Sequence, residues 1–144
     1  MYLVLSTTTL AHDHNRDLCL QHDGILPEPR SQKENEFLNN LGSEMFLLGM
    51  SDKDTEGRWL WDSDRTPVDY FNWGAVPGAG QEPNGQRSQN CIVMMRNFVS
   101  GGASWADISC ASDYHLEAQT KSLICQKNGG MCKLMKVLDF YPND

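Results

Sequence analysis

Apolar positions along this chain fall into short runs whose period changes near the middle. Tyr2-Leu3-Val4-Leu5 is a continuous apolar run and predicts a strand over residues 2–5. Residues 9–23 predict a helix that ends at Gly24, a residue suited to the left-handed position just past a helix. A second helix is marked by Ser31 and Glu34, which have the spacing of a capping box. Phe37, Leu38 and Leu41 form its apolar stripe and Gly42 stops it. Beyond Gly42 the helical period gives way to continuous apolar runs. Met45 to Met50 and Arg58 to Trp61 predict strands. Asp62 to Gln89 is rich in Gly, Pro, Asn and Asp and predicts one long loop. A loop of that length inside a compact domain is usually functional. Cys91 to Arg96 and Lys121 to Gln126 predict strands that flank the loop and a hairpin. No internal repeat or low-complexity tract is present. The chain divides into a domain over 1–127 and a C-terminal extension over 128–144.

Composition narrows this picture. With 144 residues, 40% of them hydrophobic, the chain is long enough for one domain with a buried core. No apolar run approaches the roughly 18 residues of a membrane-spanning helix. Met1 to Leu5 is too short for a secretory signal and has no basic residue before it, so the chain reads as a mature or recombinant form. A net charge of −7 opposes nucleic acid or an anionic membrane as partner, because both select clustered Lys and Arg. No Rossmann or Walker glycine pattern occurs. Five cysteines without a CxxC pair point to an oxidising, extracellular compartment and leave one thiol over. No Asn-x-Ser/Thr acceptor is present.

Further motifs occur in a fixed order. Cys19 lies in the first helix and Leu26-Pro27-Glu28-Pro29-Arg30-Ser31 opens the second. Phe46 to Asp52 follows, then Glu56-Gly57-Arg58-Trp59-Leu60-Trp61 and Asn72-Trp73. Glu82-Pro83-Asn84, Asn90-Cys91, Trp105-Ala106-Asp107, Cys110 and Ile124-Cys125 complete the set. Together these resemble a C-type lectin-like domain over roughly Tyr2 to Lys127. The resemblance implies an α+β fold in which two helices pack on small antiparallel sheets beside a long irregular loop region. It implies the disulfides Cys19–Cys125 and Cys91–Cys110, worth roughly 4–5 and 3 kcal/mol in the chain-entropy account. It also implies the short form of the domain, without the N-terminal hairpin of longer members. Cys132 has no partner in the pattern. It is either a free thiol in a tail or, as we expect beside Asn128-Gly129-Gly130, an interchain link that makes a dimer.

In calcium-dependent members of that family five side chains hold the ion. The matching positions here are Glu82, Asn84, Gln89, Ala106 and Asp107. One carboxylate has become an amide and one ligand has become alanine. The auxiliary calcium site would correspond to Asp52, Glu56, Gly85 and Asn90, where two carboxylates are lost. Calcium affinity follows ligand number and charge. The expectation is therefore no cofactor, with Glu82, Asn84 and Asp107 as the only weak metal candidates. The sugar site implied by the resemblance comprises Glu82, Asn84, Gln89 and Asp107. Without metal, an acetamido group is a suitable handle: Asp107 could take its N–H, and Ile108 and Tyr114 its methyl. The competing reading of these residues is a relic that bonds only its own backbone. Trp59, Trp61, Trp73 and Trp105 read as core and loop anchors rather than sugar platforms. His12, His14 and His22 read as a solvated helix face rather than metal ligands. The run Cys110 to Cys125, with Asp113, Tyr114 and His115, either extends the binding surface or lengthens a turn.

These readings converge on a secreted lectin that recognises N-acetylhexosamine or mannose-type glycans without calcium and agglutinates glycan-bearing cells as a dimer. A role in innate immunity follows by association only. The alternatives are a calcium-dependent lectin with a weak metal site, and a module of the same fold that binds protein or mineral. Glu82 and Asp107 could in principle pair as glycosidase carboxylates, but no motif supports catalysis and no enzyme is expected.

Overall fold

A computed structural model describes residues 1–7, 9–41, 45–76, 80–99, 102–111 and 122–127. The termini of the described chain meet in one sheet. The strand β1 (Tyr2–Ser6) pairs antiparallel with β9 (Ser122–Lys127), setting Leu3 opposite Cys125 and Val4 opposite Ile124. The two-residue strand β2 (Gly24–Ile25) lies on the other side of β9. Between them runs helix α1 (His12–Gln21), whose Cys19 bonds Cys125 of β9. Helix α2 (Gln32–Leu41) then leads into a second sheet. Its strands are β3 (Met45–Ser51), β4 (Leu60–Trp61), β7 (Cys91–Val99) and β8 (Gly102–Ile108), in the order β4-β3-β7-β8. A small hairpin, β5 (Ala75–Val76) with β6 (Gly80–Gln81), stands apart in the long loop.

Every residue of β3 is buried, so this sheet has cores on both faces. Alternation along the strands sorts the side chains between them. Met45, Leu47, Cys91, Val93, Ala106 and Ile108 join Leu10, Cys19 and Cys125 in one core. Phe46, Leu48, Met50, Ile92, Met94 and Trp105 join Leu38, Trp59 and Trp61 in the other. The Cys91–Cys110 disulfide ties the start of β7 to the residues just past β8. Both cystines match the pairing implied by the family resemblance.

Local signals explain the helices, with adjustments. Ser31 Oγ accepts the Glu34 amide at 3.2 Å, as a capping residue does. The Glu34 carboxylate, however, accepts from the Arg30 amide at 2.7 Å, one residue before the partner that a capping box uses. In the expected stripe Leu38 is buried, while Phe37 is 39% exposed and lies against the Tyr2 ring. The first helix is shorter than residues 9–23, because Thr9 and Ala11 are taken up in a local turn bonded through Thr9 Oγ1. Asp23, at φ 56°, takes the left-handed position expected of Gly24. Gly24 is needed for closeness instead: a Cβ there would sit 3.2 Å from the Gln126 carbonyl of β9. The strand expected over 58–61 is reduced to Leu60–Trp61, and β7 runs on to Val99. Gly42 and the extension 128–144 lie outside the described residues.

Polar groups are buried where they join elements. Glu28 accepts from the Ser63 amide at 2.9 Å, the Ser63 hydroxyl at 2.6 Å and Arg30 at 3.0 Å. This fastens the segment before α2 to the segment after β4, and the Arg30 guanidinium lies over the Trp61 ring at 4.9 Å. His12, expected on a solvated face, is 4% exposed and hydrogen-bonds Asp62 at 2.7 Å, which pins α1 to the start of the long loop.

Trp105 donates its indole N–H to the Asn35 side-chain oxygen of α2 at 2.7 Å, with both residues buried. Trp105→Phe should therefore leave the Asn35 oxygen desolvated and cost about 2 kcal/mol in urea unfolding. Adding Asn35→Leu should recover most of that loss, since removing both polar partners is nearly neutral. A double variant no more stable than Trp105→Phe alone would show that the bond is not the source.

A loop face clamped from beneath by Asp107

The long loop is fastened along β8, the edge strand of the second sheet. Trp105 donates its amide to the Asn72 carbonyl at 2.8 Å and accepts from the Gly74 amide at 2.9 Å. Gly74 in turn accepts from the Glu82 amide at 2.9 Å and from the Gln81 side chain at 3.0 Å. Two residues beyond Trp105, on the same strand face, Asp107 does the same for the next turn. Its Oδ1 accepts the Asn84 amide and its Oδ2 the Gly85 amide, each at 2.9 Å. The Glu82–Pro83 peptide is cis, and the Asn84 side-chain N–H donates to Glu82 Oε1 at 2.9 Å. Glu82, Asn84 and Asp107 therefore form one cluster on the turn after β6.

Glu82 is 6% exposed and its Oε2 has no hydrogen-bond partner among the described residues. Burial, then the neighbouring Asp107 carboxylate, raises the Glu82 carboxyl to about 7. Two carboxylates this close resist being charged together, so Glu82 carries a proton for much of the time at neutral pH.

These residues do not form a set that fits calcium, which takes about six to eight oxygens. Ala106 is buried in the first core and offers no side-chain oxygen. Both Asp107 oxygens already accept backbone amides, and the Asn84 amide nitrogen is turned towards Glu82. Gln89 folds over Gly85 so closely that a Cβ on Gly85 would meet its Oε1 at 1.7 Å. At the auxiliary position Asp52 is buried, and burial raises its carboxyl above the usual range. Its Oδ2 accepts the Gly57 amide at 2.8 Å. It lines a cleft of about 580 Å³ with Glu56 and Asn90, but Lys53 and Arg87 line the same cleft and oppose a divalent ion. Among the described residues no group of three or more His, Cys, Asp or Glu is placed to hold a metal.

Of the other expected site residues, Gln89 is half-buried beside the cluster. Ile108 is corrected: it is 7% exposed and packs with Ala106 in the first core, on the strand face opposite Asp107. It cannot present itself to a ligand on the loop. Tyr114, with Asp113 and His115, and Cys132 lie outside the described residues. Trp59, Trp61 and Trp105 are core, as expected, while Trp73 is half-buried. One aromatic was missed. Phe71 is 41% exposed and stacks on Trp73, and the Tyr70-Phe71 pair just before Asn72-Trp73 was the available signal.

The sequence model described as the Lectin C-type domain matches residues 8–127. The chain is 32% identical over 99 residues to a mannose-binding protein from Gallus gallus, covering 67% of this chain and 35% of that protein. It spans between 27% and 65% of the length of three curated relatives it matches. Among solved structures it is similar to the cow C-type carbohydrate-recognition domain of CD23, determined in the presence of GlcNAc2Man3 oligosaccharide. The TM-score is 0.68, with 26% identity over 90% of this chain and 88% of that one. It is also similar to a calcium-independent type II antifreeze protein, with TM-score 0.62 and 25% identity over 86% of this chain and 84% of that one.

The Glu82 environment has a pH consequence. A carboxyl raised from 4.5 to about 7 in the folded state contributes stability that is complete below 4.5 and is lost as pH rises through 7. Glu82→Gln should remove that dependence. In chelator-containing buffer it should be more stable than the parent by on the order of 2 kcal/mol near pH 8, with little difference near pH 4. Denaturant melts across that range measure this. Parallel pH profiles for the two proteins would contradict the raised Glu82 carboxyl.

Proposed function

The chain belongs to the C-type lectin domain family, and from that premise we propose that it is a secreted carbohydrate-binding protein that needs no calcium. Its ligands are hexoses such as N-acetylhexosamines, and its site is the Glu82–Asn84 turn with Gln89 beside it. The observation that carries this reading is the pair of hydrogen bonds that Asp107 accepts from the Asn84 and Gly85 amides. Those bonds fix the turn from beneath, so its polar pair is preorganised without an ion. Glu82 is buried and holds the Asn84 amide through its Oε1, so it positions the exposed Asn84 side chain, which is the direct sugar contact. Asp107 serves as the clamp rather than the principal sugar contact. The mannose-binding relative and the oligosaccharide named with the cow domain support a glycan as ligand. Both Asp107 oxygens accept backbone amides and Glu82 is buried, so the cluster favours binding over the glycosidase alternative. Among the described residues no helix is long and apolar enough to cross a membrane.

A second reading has one observation in its favour. Similarity to the calcium-independent antifreeze protein supports a module of this fold that binds a non-sugar surface. A glycan array run with and without EDTA separates the readings. Binding to N-acetylhexosamine or mannose-type glycans should change little in EDTA, and Asn84→Ala should weaken it about tenfold by removing a direct hydrogen bond. Binding abolished by EDTA would restore the calcium-dependent reading, and no binding to any glycan would favour the non-sugar module.

Assembly is the other element of the proposal. One domain carries one such site, and two linked sites can gain about 10²–10⁴ in avidity. Cys132, outside both cystines, is the proposed interchain link. Non-reducing gels should show a dimer that reductant collapses. Cys132→Ser should abolish the dimer and agglutination while single-site affinity is kept. A wild-type monomer without reductant would refute the covalent dimer.

A further inference from the structure

We propose that the outer face of Phe71 is a second saccharide subsite, which stacks the apolar face of the pyranose next to the one held at Glu82 and Asn84. This extension rests on the sugar-binding reading of that turn. Among the described residues the exposed large hydrophobics are Met1, Val4, Leu20, Phe37 and Phe71. Phe37 leans on Tyr2 at 42°. Phe71 differs: it is stacked on Trp73 with centroids 5.8 Å apart and planes at 16°. One ring face is covered by Trp73, while the residue as a whole keeps 41% exposure.

That ring is also held still. Trp73 is wedged against Trp59 at 5.4 Å and edge-on to Trp105 at 6.2 Å. The backbone following Phe71 is bonded to Trp105 through Asn72 and again through Gly74. An exposed phenyl ring backed by packed tryptophans and fixed by backbone bonds loses little freedom when a ligand covers it. Covering it with an apolar face removes apolar surface from water, which favours binding.

Position identifies the occupant. Gly74, three residues after Phe71, accepts the Glu82 amide, so the ring and the polar pair belong to one loop. Chain geometry limits Phe71 and Glu82 to within roughly 16 Å, the reach of a short oligosaccharide. A β-linked glucopyranose with equatorial substituents presents axial C–H groups on its faces. Those weakly positive hydrogens match the negative face of a phenyl ring. The polar pair needs hydroxyl or acetamido groups, and the platform needs a flat, C–H-bearing face one or two units away. A β-1,4-linked N-acetylglucosamine oligomer has both.

The test is calorimetry on the whole chain in EDTA, with methyl β-N-acetylglucosaminide, di-N-acetylchitobiose and tri-N-acetylchitotriose as probes. The wild type should bind the oligomers about tenfold more tightly than the monosaccharide, equivalent to about 1.4 kcal/mol. Phe71→Ala should erase that advantage and leave monosaccharide binding unchanged. Phe71→Leu, which keeps an apolar side chain on Trp73 and protects the fold, should erase it too, whereas Phe71→Tyr should keep it. Asn84→Ala should weaken all three probes. No chain-length preference in the wild type would overturn the proposal. So would oligomer binding in Phe71→Leu equal to wild type while Asn84→Ala binds poorly, and the sugar-binding reading would then stand. If Asn84→Ala binds as well as wild type, the underlying reading of the turn fails, and the subsite with it.

Discussion

Most of this molecule is organised by the exposed edge of β8. An edge strand offers unpaired amides and carbonyls, which folds must cover or blunt. Here the cover is the long loop itself. Trp105 bonds Asn72 and Gly74 through its backbone, and its indole reaches Asn35 of α2. The rings of Tyr70, Phe71 and Trp73 gather against it. One residue therefore joins the sheet, the second helix and the start of the loop. A segment with little regular structure of its own acquires a definite shape because its polar backbone groups are satisfied by an ordered strand.

Asp107 extends the same arrangement to the far end of the loop, with an electrostatic consequence. Its carboxylate is stabilised by two backbone amides, a strong form of hydrogen bond. Burial first, and then the nearby Asp107 carboxylate, raise the Glu82 carboxyl to about 7. A cation between the two carboxylates would relieve the same repulsion. Ala106, in the core, supplies no side-chain oxygen for such a cation, and Gln89 is folded over Gly85.

The two-sided core gives the fold a support that lies outside this loop. The second sheet is packed on both faces, and two cystines close the chain around it. Stability therefore resides largely in β3, β7, β8 and the helices. The residues of the turn after β6 contribute little to either core and can change for ligand recognition, as loops on a rigid scaffold do.

Features that depend on neighbours in sequence were legible in the chain alone. Ser31 and Glu34 mark the start of α2, the apolar runs at Met45 and Cys91 mark two strands, and the order of cysteines and tryptophans marks the family. The clustering of Glu82, Asn84 and Asp107 followed from that family pattern. Features that depend on which groups meet in space were not legible. Strand alternation places Asp107 and Ile108 on opposite faces, but with both faces buried it does not say which one meets the loop. Gly24 and Asp23 both suit a helix end, and only the closeness of β9 assigns the tight contact to Gly24. His12 is polar enough for a solvated face until Asp62 is placed beside it. The raised carboxyl of Glu82 arises from burial and from Asp107, which is distant in sequence, so tertiary structure alone decided it, while the stack of Phe71 on its near neighbour Trp73 is placed by Trp105.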